Sequence, residues 1–67
     1  MSANNFIKIS KTKKGFLIQN LDIESKTGFE IGKADTFKKA RKIADEYMMN
    51  GNIVEYGIRI DEKCFND

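Results

Sequence analysis

The fold is decided by residues 35–51, DTFKKARKIADEYMMNG. At about 100° per residue, six apolar side chains of this stretch fall within one arc of roughly 140°. These side chains are Phe37, Ala40, Ile43, Ala44, Tyr47 and Met48. Charged and polar side chains fill the remaining arc, so the spacing predicts an amphipathic helix with one buried stripe. Asp35 or Thr36 is the predicted N-cap, and Asn50-Gly51 is the predicted stop.

Short β-rich segments, separated by turns that contain glycine, precede and follow this helix. The predicted strands cover residues 6–9, 16–23, 29–33 and 53–60. The order β-β-β-α-β predicts an α+β fold of two layers, in which one helix backs a four-stranded, mostly antiparallel sheet. A right-handed crossover makes the third and last strands parallel and allows the last strand to lie beside the first.

The length of 67 residues fits one small domain. We therefore predict a single domain over residues 1–67, in which residues 62–67 form a tail. The only cysteine, Cys64, cannot form an internal disulfide, which suits a reducing cytoplasm. No apolar run approaches the roughly 18 residues that a membrane span needs, so no membrane partner is expected.

The sequence favours a binding protein over an enzyme. It contains no histidine, the most frequent general base, and a zinc site would need histidine or clustered cysteine. The acidic pairs Asp45-Glu46 and Asp61-Glu62 are adjacent in sequence, so their side chains diverge and do not close on one ion. We predict a non-enzymatic protein with no catalytic residue, no metal site and no cofactor.

Positive charge is concentrated in the first part of the chain. Residues 1–42 hold ten basic and four acidic side chains, whereas residues 43–67 hold two basic and six acidic ones. If the first hairpin and the helix start lie on one side, their cations form one patch that contacts a partner or a phosphate backbone. The candidates are Lys8, Lys11, Lys13, Lys14, Lys38, Lys39, Arg41 and Lys42. The alternative is an ordinary solvated surface, because most exposed charges only solvate.

Four apolar residues are candidates for a contact surface. If Phe6, Phe16 and Ile18 face outward together, they form an apolar patch larger than a monomer usually exposes. Such a patch would bind a partner or a second copy of the chain, although a register shifted by one residue would swap the two faces. Met49 is predicted on the polar side of the helix. It is either an adaptable contact residue or an isolated exposed side chain without a function.

Residues 32–61, GKADTFKKARKIADEYMMNGNIVEYGIRID, join the helix to an Asn-Gly stop and a strand. This segment resembles segments of short phage and mobile-element proteins, among them small anti-CRISPR proteins that back a sheet with one helix. The resemblance implies a phage-type binding protein that inhibits or modulates a host protein or ribonucleoprotein complex through a basic surface. The residues leave direct DNA or RNA binding through the lysines as the alternative, and they also allow a homodimer.

Overall fold

A computed structural model describes residues 4–52 and 54–61 of the chain. Strand β1 spans Asn5–Thr12, β2 spans Gly15–Asp22, and β3 spans Gly28–Ala34. Helix α1 spans Phe37–Met49, and the short strand β4 spans Ile58–Ile60. The predicted α+β class and element order are confirmed. Ile53, Cys64 and the predicted tail over 62–67 lie outside the described residues.

The four strands form one sheet in the order β3-β2-β1-β4. The β1–β2 and β2–β3 pairs are antiparallel, and β4 runs parallel to β1. Because β1 and β3 run in the same direction, β4 is also parallel to β3. The last strand therefore lies beside the first, as predicted, and α1 packs mainly over β2 and β3.

The core forms where the apolar stripe of α1 meets one face of the sheet. Ala40 and Ala44 are fully buried, and their small side chains let the helix backbone approach the sheet closely. At the helix start, the rings of Phe16 and Phe37 meet edge to face with centroids 5.9 Å apart. The sheet contributes three fully buried side chains to this core, Ile7, Ile9 and Ile18.

Both ends of α1 are closed by the residues that the sequence indicates. The Thr36 hydroxyl accepts a hydrogen bond from the backbone N–H of Lys39 at 3.2 Å, so Thr36 rather than Asp35 is the N-cap. The Asn50 backbone N–H donates to the Glu46 carbonyl at 3.0 Å. Gly51 follows with a φ of 87°, the left-handed conformation that ends many helices.

The predicted apolar patch on the open sheet face is not formed. Phe16 and Ile18 face α1, where Ile18 is fully buried, whereas Phe6 lies on the opposite face. The cause is register, because Phe6 pairs with Leu21 and side chains alternate along a strand. The prediction that these three residues face solvent together is therefore wrong. The surface proposed for a homodimer loses its basis with it.

The last strand is shorter than its predicted range of 53–60. Gly57 has a φ of 72°, and this left-handed bend interrupts the alternation before β4 begins. Tyr56 is consequently 51% exposed and does not share the buried face of Ile58. Hydrogen bonds hold the bend against β1, from the Tyr56 N–H to the Asn5 carbonyl and from the Ile7 N–H to the Gly57 carbonyl.

One polar network crosses the edge of the core. Asn20 is nearly buried on the helix-facing side of β2 and uses both ends of its amide. Its Oδ1 accepts from Asn5 Nδ2 at 2.9 Å, and its Nδ2 donates to the Tyr47 hydroxyl at 2.9 Å. The network thus ties β1, β2 and α1 together through paired polar groups.

We predict that Tyr47→Phe lowers the free energy of unfolding by about 1–3 kcal/mol, because it leaves the Asn20 amide without an acceptor in a buried site. Urea unfolding followed by circular dichroism measures the change. The matched control is Tyr56→Phe, which removes the same hydroxyl at an exposed position and is expected to change stability by about 0.5 kcal/mol or less. Equal losses in the two variants would contradict a structural role for the network.

Candidate anion-binding surfaces

The first turns of α1 carry four exposed cations. We call Lys38, Lys39, Arg41 and Lys42 the helix basic surface. Lys38 and Lys42 lie opposite the buried alanine stripe, and Lys39 and Arg41 lie to either side of it, because successive helical residues are about 100° apart. Together with Phe37 and Asp45 they line a shallow surface cavity of about 810 Å³. Four of the eight sequence-predicted cations are therefore brought together on one rigid element.

Carboxylates compensate half of this charge. Lys39 Nζ lies 3.2 Å from an Asp35 carboxylate oxygen, and Arg41 Nε lies 3.4 Å from one of Asp45. Lys38 and Lys42 form no ion pair within residues 4–52 and 54–61. These two lysines are the cations of the helix basic surface that an external anion would meet without displacing an internal partner.

The first hairpin reaches the same end of the sheet as the helix start. At Gly15 an added Cβ would lie 2.3 Å from the Ala34 carbonyl oxygen, so β2 begins against the segment that leads into α1. Lys13 and Lys14 form the turn and line a cavity with Leu17, which faces away from the helix. The hairpin-turn lysines line a different cavity from the helix cations, and Lys33 lines cavities with both sets, so no single cavity holds all the cations of the predicted patch. Lys11 lies on β1 opposite Phe16.

Lys8 lies on the open face of the sheet, which is the face that α1 does not cover. It is paired with Gln19 on β2 and with Arg59 on β4. Phe6 lies on the same face and is only 4% exposed. Lys26 Nζ and Arg59 Cζ lie 5.4 and 5.2 Å from the centroid of its ring. We call Lys8, Lys26 and Arg59 the open-face cations.

Sequence reasoning places Lys8 and Arg59 on the uncovered sheet face but does not group them as an anion site, and it misses Lys26. Lys26 sits in the turn before β3 and adopts a φ of 61°, which no local pattern in the sequence indicates. Arg59 could have been joined to Lys8, since a last strand placed beside the first brings one of its outward side chains next to Lys8. The prediction of strand order therefore contained a signal for the site.

Apolar exposure is scattered rather than continuous. Met49 is 84% exposed, in agreement with its predicted place on the polar side of the helix. Phe29 is 57% exposed and stands beside Tyr47, with ring centroids 6.5 Å apart. Within residues 4–52 and 54–61, no hydrogen bond, ion pair or shared cavity joins Met49 or Phe29 to the charged surfaces.

In the described part of the chain, no three His, Cys, Asp or Glu side chains are grouped so that they could hold a metal ion. None of the helices found there is long and apolar enough to cross a membrane. Comparisons with protein-family models, with curated proteins and with solved structures found no match. The arguments about function therefore come from the surfaces themselves.

We predict that Lys39→Gln raises the pKa of Asp35. In the folded chain that pKa lies below its ordinary value, first because of the side-chain hydrogen bond from Lys39, then the backbone N–H of Asp35, and then the charge of Lys39. A folded pKa below the unfolded one stabilises the fold above the unfolded pKa, and this contribution is lost as the pH falls through the folded pKa.

Titration of the Asp35 carboxyl carbon by NMR measures this shift. The matched control is Lys38→Gln, which removes an equal charge one residue away. Among the described residues Lys38 forms no ion pair with Asp35, so this variant is expected to leave the titration nearly unchanged. Equal shifts in both variants would show that distributed charge, and not the Lys39 contact, lowers the pKa.

Proposed function

We propose that the chain is a small, non-enzymatic, phage-type binding protein that occupies a negatively charged surface of a larger host complex and thereby inhibits or modulates it. A ribonucleoprotein effector, as for the anti-CRISPR proteins that the sequence resembles, is the class of partner that fits best. The helix basic surface is the proposed contact. A cytoplasmic setting accords with the single cysteine.

One observation carries this proposal. The helix basic surface presents four cations within residues 38–42, on a helix that is capped at both ends and anchored through two buried alanines. Side chains on a rigid element keep a fixed spacing, so less ordering is required when they meet an anionic partner. The absence of histidine supports the non-enzymatic part of the proposal.

Direct binding to DNA or RNA is the second candidate, and Lys38 and Lys42 favour it. Because no internal carboxylate pairs with them among the described residues, phosphate groups could contact them without breaking an ion pair. Lysine acts here as a point charge, so the expected binding is independent of sequence and sensitive to salt.

The experiment for both candidates is the charge reversal Lys38→Glu, Lys39→Glu and Lys42→Glu in one chain. The tagged wild-type and reversed chains are used to recover partners from host lysate, with and without prior nuclease treatment. We expect a partner complex with the wild-type chain and its loss with the reversed chain. Three lysine-to-arginine substitutions at the same positions keep the charge and are expected to retain the partner.

Fluorescence anisotropy with labelled single- and double-stranded oligonucleotides separates the two candidates. Direct binding predicts a dissociation constant of about 10⁻⁴ M or lower at low salt, and a salt slope that falls by about 2.7 for duplex DNA in the reversed chain. Weaker binding by the wild-type chain would exclude the second candidate. Recovery of the same partner by wild-type and reversed chains would exclude the helix basic surface as the contact.

A further inference from the structure

We propose that the open-face cations form a second anion-binding site that takes the phosphate groups of a nucleic-acid strand, independently of the helix basic surface. The site lies on the side of the sheet that α1 leaves uncovered. It combines one side chain from β1, one from the turn before β3 and one from β4, so it exists only in the folded chain.

The first support is the composition of the site. A shallow cavity of about 540 Å³ on this face contains all three open-face cations and no carboxylate in its lining. Gln19 adds an amide donor, and Phe6 and Leu21 add apolar surface. The guanidinium of Arg59 provides a planar fork for phosphate oxygens, while the two lysines act as point charges.

The second support is the way in which Phe6 holds two of the charges. The Lys26 ammonium and the Arg59 guanidinium both lie within 5.4 Å of the ring centroid, a distance at which the ring face attracts cations. This attraction orders two long side chains that would otherwise sample many rotamers. With only 4% of Phe6 exposed, a nucleobase has no free ring to stack on, so the site recognises charge rather than bases.

The third support is the repulsion between Lys8 and Arg59. Lys8 and Arg59 are register partners on neighbouring strands, and like charges in that position destabilise a sheet. Among the described residues, Asp22 and Glu30 form no ion pair with Lys8 or Arg59. Asp22, whose pKa is lowered first by the backbone N–H groups of Ser25 and Glu24 and to a smaller extent by the charge of Lys26, accepts those two N–H groups. Glu30 pairs with Lys33 at 3.9 Å.

The fourth support concerns the length of the ligand. Exposed ion pairs are weak one at a time, so a single phosphate ion would gain little from three surface cations. Along the open face, a further cavity is lined by Lys13 and Lys14, together with Lys33 and its ion-pair partner Glu30. A polymer with regularly spaced phosphates can occupy both cavities at once, whereas a small phosphorylated molecule cannot.

The test compares two matched triple variants, each of which removes three positive charges. The open-face variant carries Lys8→Gln, Lys26→Gln and Arg59→Gln, and the helix variant carries Lys38→Gln, Lys39→Gln and Lys42→Gln. Binding to a labelled duplex of mixed sequence is measured by anisotropy across a salt series. We expect the open-face variant to lower the salt slope by about 2.7, because each lost phosphate contact removes about 0.9. An unchanged slope would overturn the proposal.

The two arms separate this inference from the proposed function. If only the helix variant loses binding, the open-face site is excluded and the helix basic surface stands. If only the open-face variant loses binding, the inference stands and the helix contact with nucleic acid fails. Arg59→Lys with Lys26→Arg keeps both charges over Phe6 and is expected to bind like the wild-type chain, and a circular dichroism spectrum of the open-face variant that matches the wild type excludes a folding defect as the cause of a loss.

An NMR titration of the wild-type chain tests the same site without any substitution. We expect duplex DNA to shift the backbone amides of Lys8, Lys26 and Arg59 at concentrations far below those that inorganic phosphate requires. Poly-glutamate of equal charge is the third ligand. Equal shifts at equal concentrations of poly-glutamate would overturn the assignment to phosphates, and an absence of shifts on the open face would overturn the site.

Discussion

The structure depends on one contact, the approach of Ala40 and Ala44 to the isoleucines of β1 and β2. Two methyl-sized side chains let α1 lie close to the sheet, and three fully buried isoleucines fill the space between them. In a chain of 67 residues this is the main apolar core, and its position decides which face of every strand is inside. Alternation along the strands then assigns each remaining side chain to the core or to the open face.

The parts of the fold that the sequence predicts are those with a strong local pattern. The helix, its threonine cap and its glycine stop follow from residues within a few positions of one another. The inward face of β2 does not follow from nearby residues. Phe16 and Ile18 alternate with Leu17 and Leu21, so both faces of the strand are apolar. Alternation without a tertiary partner cannot choose between two apolar faces, and only the position of α1 settles it. At Tyr56 the alternation of side chains fails for a different reason, because the neighbouring Gly57 adopts a left-handed conformation.

The two charged surfaces also differ in whether local sequence or tertiary structure brings their residues together. The cations of the helix basic surface are neighbours in sequence, so periodicity alone groups them correctly. The open-face cations come from three elements and meet through the parallel pairing of β1 with β4 and through the turn that carries Lys26. A search for runs of lysine finds the first kind of surface and overlooks the second. Proximity in sequence places Lys8 with the hairpin lysines, whereas in the structure its register partner on β4 is Arg59.

The two surfaces are also separated electrostatically. The helix basic surface lies on the outer side of α1, so a helix about 10 Å in diameter and the sheet stand between it and the open-face cations. Screening in physiological salt acts over about 8 Å, so an anion bound on one side changes the potential on the other only weakly. Occupation of the two sides should therefore be nearly additive. If both proposed surfaces bind anions, the split of the cations between opposite sides would let the domain meet two anionic segments at once. A domain of the same net charge with all its cations on one side would meet a single segment more tightly.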